Sequence, residues 1–189
     1  MTVQDHQPAN IHEAVIRPCA EQDMRAVTEI YHHYVVHSPA TFELVPPTYD
    51  EMLARYRKIM QGGFVYLVAE LNGMVVGYAY VSTYRERPAY RFTVENSVYI
   101  RPGMERRGIG RRLLEALLAE CENRPFRQVL AVIGDSANAA SIRLHRSVGF
   151  EPAGTLRAVG YKFGRWLDCV LMQKHIGEGD RAPPKDRTP

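Results

Sequence analysis

The sequence predicts one α/β or α+β domain, a sheet with helices packed on both faces. Two observations carry that prediction. Apolar residues recur at helical spacing in some segments and alternate in others, and the segments follow the order β-α-α-β-β-β-α-β-α-β-β. The chain has 189 residues, enough for one well-formed domain and short for two. A composition of 46% hydrophobic and 24% charged residues is that of an ordinary soluble globular protein.

The elements can be justified in turn. "AVIRP", from Ala14, is a short strand. A helix begins near Ala20, with Met24, Val27, Ile30, Tyr31 and Tyr34 on one face. Pro39, Pro46 and Pro47 make "HSPATFELVPP" a loop. Thr48 and Glu51 then open a second helix, "TYDEMLARYRKIMQ", as a reciprocal capping box. "GFVYLVAELNGMVVGYAYVSTY" reads as two strands about an Asn72-Gly73 turn, the strongest short-range hairpin signal. The strand "RFTVENSVYI" leads into a Gly- and Arg-rich loop and the helix "GRRLLEALLAECEN". A strand "RQVLAVIG", a helix from about Ser136 to Ser147, and the strands "TLRAVGYKFG" and "LDCVLMQKH" complete the order. Residues 1–12 and 177–189 are polar or rich in Pro, Gly and charge, and are expected to be disordered tails. A single domain over residues 13–176 lies between them.

Several classes of function are disfavoured. No apolar run approaches the roughly 20 residues that span a bilayer, and the N-terminus has no basic start followed by an apolar segment. No membrane association and a cytoplasmic location are therefore expected. Cys19, Cys121 and Cys169 are odd in number, far apart and without a CxxC pair, which suits thiols in a reducing compartment. No His, Cys and carboxylate cluster has metal-ligand spacing, so no metal is expected. A net charge of +3 with no basic stretch interleaved with aromatics gives no nucleic-acid surface. Six arginines nevertheless lie between Arg85 and Arg107, a concentration that suits an anionic small molecule.

The stretch "RPGMERRGIGRRLLEALLAECE" explains part of that concentration. A helix N-terminus leaves about four N–H groups without partners at the positive end of its dipole. Phosphate satisfies them if the backbone can come close, and Gly108 and Gly110 permit that approach. Arg106, Arg107, Arg111 and Arg112 surround the loop with positive charge. Plain helix entry remains the alternative. No Gly-Lys-Ser/Thr ends the loop and the third glycine of a dinucleotide fingerprint is missing, so neither common nucleotide class fits.

"VENSVYIRPGMERRGIGRRLLEALL" and "NAASIRLHRSVGF" resemble the two signature motifs of the GNAT N-acetyltransferases. Together with "IYHHYVVHSPATFE", "AYRFTVENSVYI", "LAVIGDSANAASIRLHRSVGF" and "GTLRAVGYKFGRWLD", the chain resembles their phosphinothricin and methionine sulfoximine branch from about Ala14 to Gln173. The resemblance implies a central mixed, mostly antiparallel sheet flanked by helices on both faces. It also implies acetyl-CoA as cosubstrate, held by Val98, Tyr99 and Ile100 of the strand and by Arg106, Arg107, Gly108, Ile109, Gly110 and Arg111 of the loop. Asn138 would bond the cofactor chain, although it would serve equally as a helix N-cap. One position departs from the pattern: Glu105 stands where the family has Gln or Arg, which implies weaker cofactor affinity.

Acetyl transfer needs a neutral amine, and a free α-amino group has a pKa of about 8, so a modest base suffices. Glu95 lies in an apolar strand, where an unpaired carboxylate is costly and its pKa should rise. The resemblance assigns this position to catalysis, acting through water. His145, where the wider superfamily has tyrosine, is implied as an acid for the thiolate or as an orienting group. The acceptor is expected to carry an anionic end, met by the forked donors of Arg85 and Arg87. Phe42, with Tyr90 and Phe92, is expected to form an aromatic wall, although Tyr90 and Phe92 read more readily as core, and Asn96 and Ser97 are expected to border the acceptor beside Glu95. No Ser/His/Asp or Cys/His order points to an acetyl-enzyme, so direct transfer is expected. Trp166, read as lying in a turn, is expected to line the substrate pocket or a dimer contact, and with the resemblance it suggests a homodimer. The implied acceptors are methionine sulfoximine, methionine sulfone and phosphinothricin. The alternatives are another amine, such as a protein N-terminus or a polyamine, and a catalytically silent acyl-CoA-binding module. The loop arginines disfavour a polyamine, and the joint presence of Glu95, Asn138 and His145 disfavours a silent module.

Overall fold

A computed structural model describes residues 14–184. The expected tail over residues 1–12 and the last five residues of the other tail lie outside them. The order is β1 (Val15–Pro18), α1 (Met24–His37), α2 (Tyr49–Gln61), β2 (Tyr66–Leu71), β3 (Met74–Thr83), β4 (Thr93–Ile100), α3 (Ile109–Glu122), β5 (Gln128–Gly134), α4 (Ala139–Ser147), β6 (Glu151–Lys162) and β7 (Arg165–His175). The strands form one seven-stranded sheet in the order β1-β2-β3-β4-β5-β7-β6. Every neighbouring pair is antiparallel except β4 and β5.

Alternation along β2 shows how the two faces are covered. Leu67 and Ala69 pack with Leu113, Leu114 and Leu117 of α3, whereas Tyr66 and Val68 pack with Val27 and Ile30 of α1 and Met52 of α2. Apolar side chains at i, i+4 and i+8 of α3 make this possible, and fully burying each leucine is worth about 1.5–3 kcal/mol. Val76 is the extra residue of a bulge opposite Ala69 and Glu70. Beside it, Gly77 leaves room for the end of β4: a Cβ there would come within 2.9 Å of Ile100 and 3.2 Å of Leu113.

Four local expectations shift. α4 starts at Ala139 because Asp135 takes a left-handed φ of 70° and the Ser136 hydroxyl donates to Asp168 (2.7 Å). β6 starts at Glu151 although Pro152 and Gly154 read as breakers, since as an edge strand it absorbs them in register shifts. Trp166 lies in β7, opposite Tyr161, and not in a turn. Residues 177–180 form a turn, and Glu178 pairs with Arg127 (3.3 Å).

Candidate active site

β4 and β5 are in register only from Thr93↔Gln128 to Asn96↔Ala131. Beyond that point β4 follows β3 as far as Ile100↔Gly77, and β5 follows β7 as far as Gly134↔Cys169. The two strands therefore part, and the β4 backbone after Asn96 has no strand partner on that side. A cleft of about 790 Å³ continues from the wedge, lined by Val98 and Ile100, the loop before α3, and the first turn of α4.

The two loop glycines act differently. Gly108 is the N-cap of α3 with φ +78°, and a Cβ there would meet nothing within 4 Å, only the open cleft. A Cβ on Gly110 would come within 3.1 Å of Leu144, so Gly110 sets how closely α3 and α4 approach. The α3 N–H groups thus face a space kept clear of side chains, with Arg106, Arg111 and Arg143 around it. That arrangement fits a pyrophosphate. The Glu105 carboxylate accepts the Gly103 N–H (2.8 Å), which holds it on its own loop.

Of the expected cofactor residues, Val98, Ile100, Arg106, Gly108, Ile109, Gly110, Arg111 and Asn138 line the cleft; Tyr99 lines the wedge, and half-buried Arg107 lines neither. Asn138, besides lining the cleft, caps α4 by accepting from Ser141 N (3.2 Å). Sequence reasoning missed the opposite wall: Tyr34, the turn Ser38–Ala40, and Arg165 paired with buried Asp135. Pro39 had been read only as a helix breaker.

Along β4, Val94 and Val98 face α3, whereas Tyr99 packs toward α1 and α2. Alternation puts Glu95 and Ser97 on the Tyr99 face. Burial raises the Glu95 pKa, and no cation offsets it. Asn96 points the other way, and its amide donates to His145 Nε2 (3.0 Å). Since His145 Nδ1 donates to the Ser141 carbonyl (2.9 Å), the neutral ring accepts at Nε2. His145 is buried against Phe150, and burial lowers its pKa. Both nitrogens are engaged, which leaves no proton for a departing thiolate. The geometry fits the orienting role of the two implied for His145.

The expected acceptor residues do not converge in this chain. Phe42 packs where a Cβ on Gly160 would come within 2.6 Å of its ring, beside the wedge. Arg85, Arg87 and Tyr90 line a separate depression of about 320 Å³ with Phe64 and Phe126. Arg85 lies over the Tyr84 ring (5.1 Å). Among the described residues no group of three or more His, Cys, Asp or Glu could hold a metal, and no helix is long and apolar enough to cross a membrane.

The sequence profile of the acetyltransferase (GNAT) domain matches residues 16–171. The chain belongs to the GNAT acetyltransferases. As such an N-acetyltransferase it uses acetyl-CoA, which the cleft accommodates. It is 50% identical to the phosphinothricin N-acetyltransferase of Alcaligenes faecalis, over 90% of this chain and 86% of the relative. It is 42% identical to the L-methionine sulfoximine/L-methionine sulfone acetyltransferase of Salmonella typhimurium, over 86% of this chain and 95% of that one. Its fold superposes on a GNAT phosphinothricin acetyltransferase from Sinorhizobium meliloti in complex with acetyl-CoA at a TM-score of 0.89 and 44% identity, covering 93% and 95% of the two chains.

Proposed function

We propose that this acetyltransferase transfers the acetyl group of acetyl-CoA directly to the α-amino group of small amino-acid analogues: methionine sulfoximine, methionine sulfone and phosphinothricin. The parting of β4 and β5 carries the reading. It opens a wedge lined on β4 by Asn96 to Tyr99, next to the cofactor cleft lined by Val98 and Ile100, and Glu95 immediately precedes that wedge on the strand. The amine enters on the Glu95 face and gives its proton to that carboxylate through water. Its lone pair forms the new C–N bond at the acetyl carbon as the C–S bond breaks. The nitrogen's second proton passes through water to the departing thiolate, whose thiol has a pKa of about 8.5, so no acid is required of His145. The names of the relatives support this class of acceptor. Direct transfer predicts intersecting initial-rate lines, with thiol and N-acetyl product released in equal amounts. Parallel lines, or acetyl-labelled protein that survives denaturation, would overturn it.

Arg85 and Arg87 are proposed as the donors for the anionic end of the acceptor; in their own chain they line a depression apart from the cleft, so this role requires a partner subunit to bring them to the site. In the double variant Arg85→Gln/Arg87→Gln, kcat/KM for methionine sulfone should fall on the order of tenfold or more per arginine, given about 1.5–3 kcal/mol for each charged hydrogen bond. Simple amines without an anionic group should be spared. Equal losses would make the loop structural, as its separate depression would then suggest.

A homodimer through the β6–β7 face completes the reading. Trp166 is 64% exposed, and Tyr161, Phe163, Val159 and Leu156 are each more than half exposed, an apolar surface on one hairpin. Light scattering at micromolar concentration should report a dimer. A monomer with full activity would exclude it. A soluble enzyme of the cytoplasm, acting without nucleic acid or membrane, is the setting this reading assumes.

A further inference from the structure

Lys162 is the last residue of β6 and is only 5% exposed. Its ammonium donates to the carbonyls of Ser38 (2.9 Å) and Thr41 (2.8 Å) and lies 5.0 Å from the Phe163 ring centre. No ion pair among the described residues includes it. Burying a cation without a counter-ion is costly, and an apolar side chain of similar size would serve stability as well.

What the ammonium holds is the turn between α1 and α2. Ser38, Pro39 and Ala40 line the cofactor cleft, and Ala40 also lines the wedge. The turn is seated on two glycines of the sheet. A Cβ on Gly134 would come within 2.3 Å of the Pro39 carbonyl, and one on Gly160 within 2.6 Å of Phe42. From α1, the Tyr31 hydroxyl meets Thr41 Oγ1 at 2.9 Å. Lys162, the two glycines and Tyr31 thus hold the turn whose Ser38, Pro39 and Ala40 line the cleft.

We propose that Lys162 is a positioning residue for acetyl transfer: through the carbonyls of Ser38 and Thr41 it fixes the Ser38–Phe42 turn as the wall that places the acceptor at the thioester end of the cleft. The inference rests on the acetyl-transfer reading above. The pyrophosphate cradle at Gly108 lies on a different wall, built by the loop before α3. Loosening the turn therefore misplaces the acceptor and leaves the cofactor anchored. Misplacement by about 1 Å can cost on the order of 100-fold in rate.

The test compares Lys162→Met, Lys162→Arg and Gly160→Ala in the full chain by thermal unfolding, calorimetric titration with CoA, and steady-state kinetics on methionine sulfone. Lys162→Met should keep the wild-type affinity for CoA within about twofold and lose roughly tenfold or more in acceptor kcat/KM. Lys162→Arg should recover part of that loss, because a guanidinium still offers donors to both carbonyls. Gly160→Ala moves the same turn from its other side and should show the same selective loss. It decides the matter if Lys162→Met does not fold. Wild-type kcat/KM in these variants, or equal losses of CoA affinity and acceptor turnover, would overturn the proposal. A wild-type protein that binds CoA and releases no thiol with any amine would instead overturn the functional reading beneath it.

Discussion

Glu95→Gln should lower kcat by roughly 10²–10⁴-fold while acetyl-CoA still binds, the range expected when a positioned general base is removed. The amide keeps the shape of the carboxyl and cannot accept a proton. Stability separates this loss from unfolding. Burial raises the folded-state pKa of Glu95, so the favourable contribution of the protonated carboxyl is present below the unfolded pKa and is lost as pH rises through the folded one. Where the carboxyl is ionised it is a disfavoured half-buried charge that Gln removes, so the variant should there be at least as stable as the wild type. The pH profile changes in the same sense. Wild-type activity should fall as acid protonates Glu95, whereas the residual activity of the variant should follow only the amine, rising through about pH 8. A Glu95→Gln enzyme with wild-type kcat at pH 7 removes Glu95 from the mechanism.

Gly108→Val should raise the KM for acetyl-CoA on the order of 100-fold, the equivalent of about two charge-assisted hydrogen bonds, with far less effect on the KM for the amine. The branched side chain would occupy the open space over the α3 N–H groups and oppose the φ of +78°. Gly108→Asn separates these two effects. Asparagine tolerates the left-handed backbone, so the fold is retained and only the cradle is obstructed. Its KM for acetyl-CoA should rise by less, again selectively. Unchanged cofactor affinity in a folded Gly108→Val protein would sink the cradle. Gly110→Val should act by another route, forcing Leu144 and hence α4 away.

What could be read from the sequence was what is encoded locally. The alternation of β2, the Asn72-Gly73 turn, the Thr48–Glu51 box and the apolar stripe of α3 each specify their element within a few residues. Gly108 and Gly110 read alike in the sequence as a place for an anion, and only the structure separates Gly108, a conformational glycine beside open space, from Gly110, a packing one. What stayed hidden depends on contacts distant in sequence. Lys162 meets carbonyls more than 120 positions away, and nothing in "GYKFG" signals that. The engagement of His145 by Asn96 and Ser141 cannot be read from its own segment, and Arg165 reaches the cleft only because β6 and β7 turn back beside β5. The Glu95 assignment shows how the two kinds of information combine. An acidic residue in an apolar strand was visible, but its place beside the wedge follows from where β4 leaves β5.

The most direct test of the central claim is the ranking of kcat/KM, by thiol release from acetyl-CoA, over a panel of acceptors. The panel should hold methionine sulfone, methionine sulfoximine, phosphinothricin, the decarboxylated amine of methionine sulfone, a polyamine and a short peptide with a free N-terminus. The three amino-acid analogues should lead, with the decarboxylated amine at least about tenfold below its parent, the loss of one charge-assisted contact. A polyamine or peptide that outranks all three, or a decarboxylated amine that matches its parent, would contradict the account.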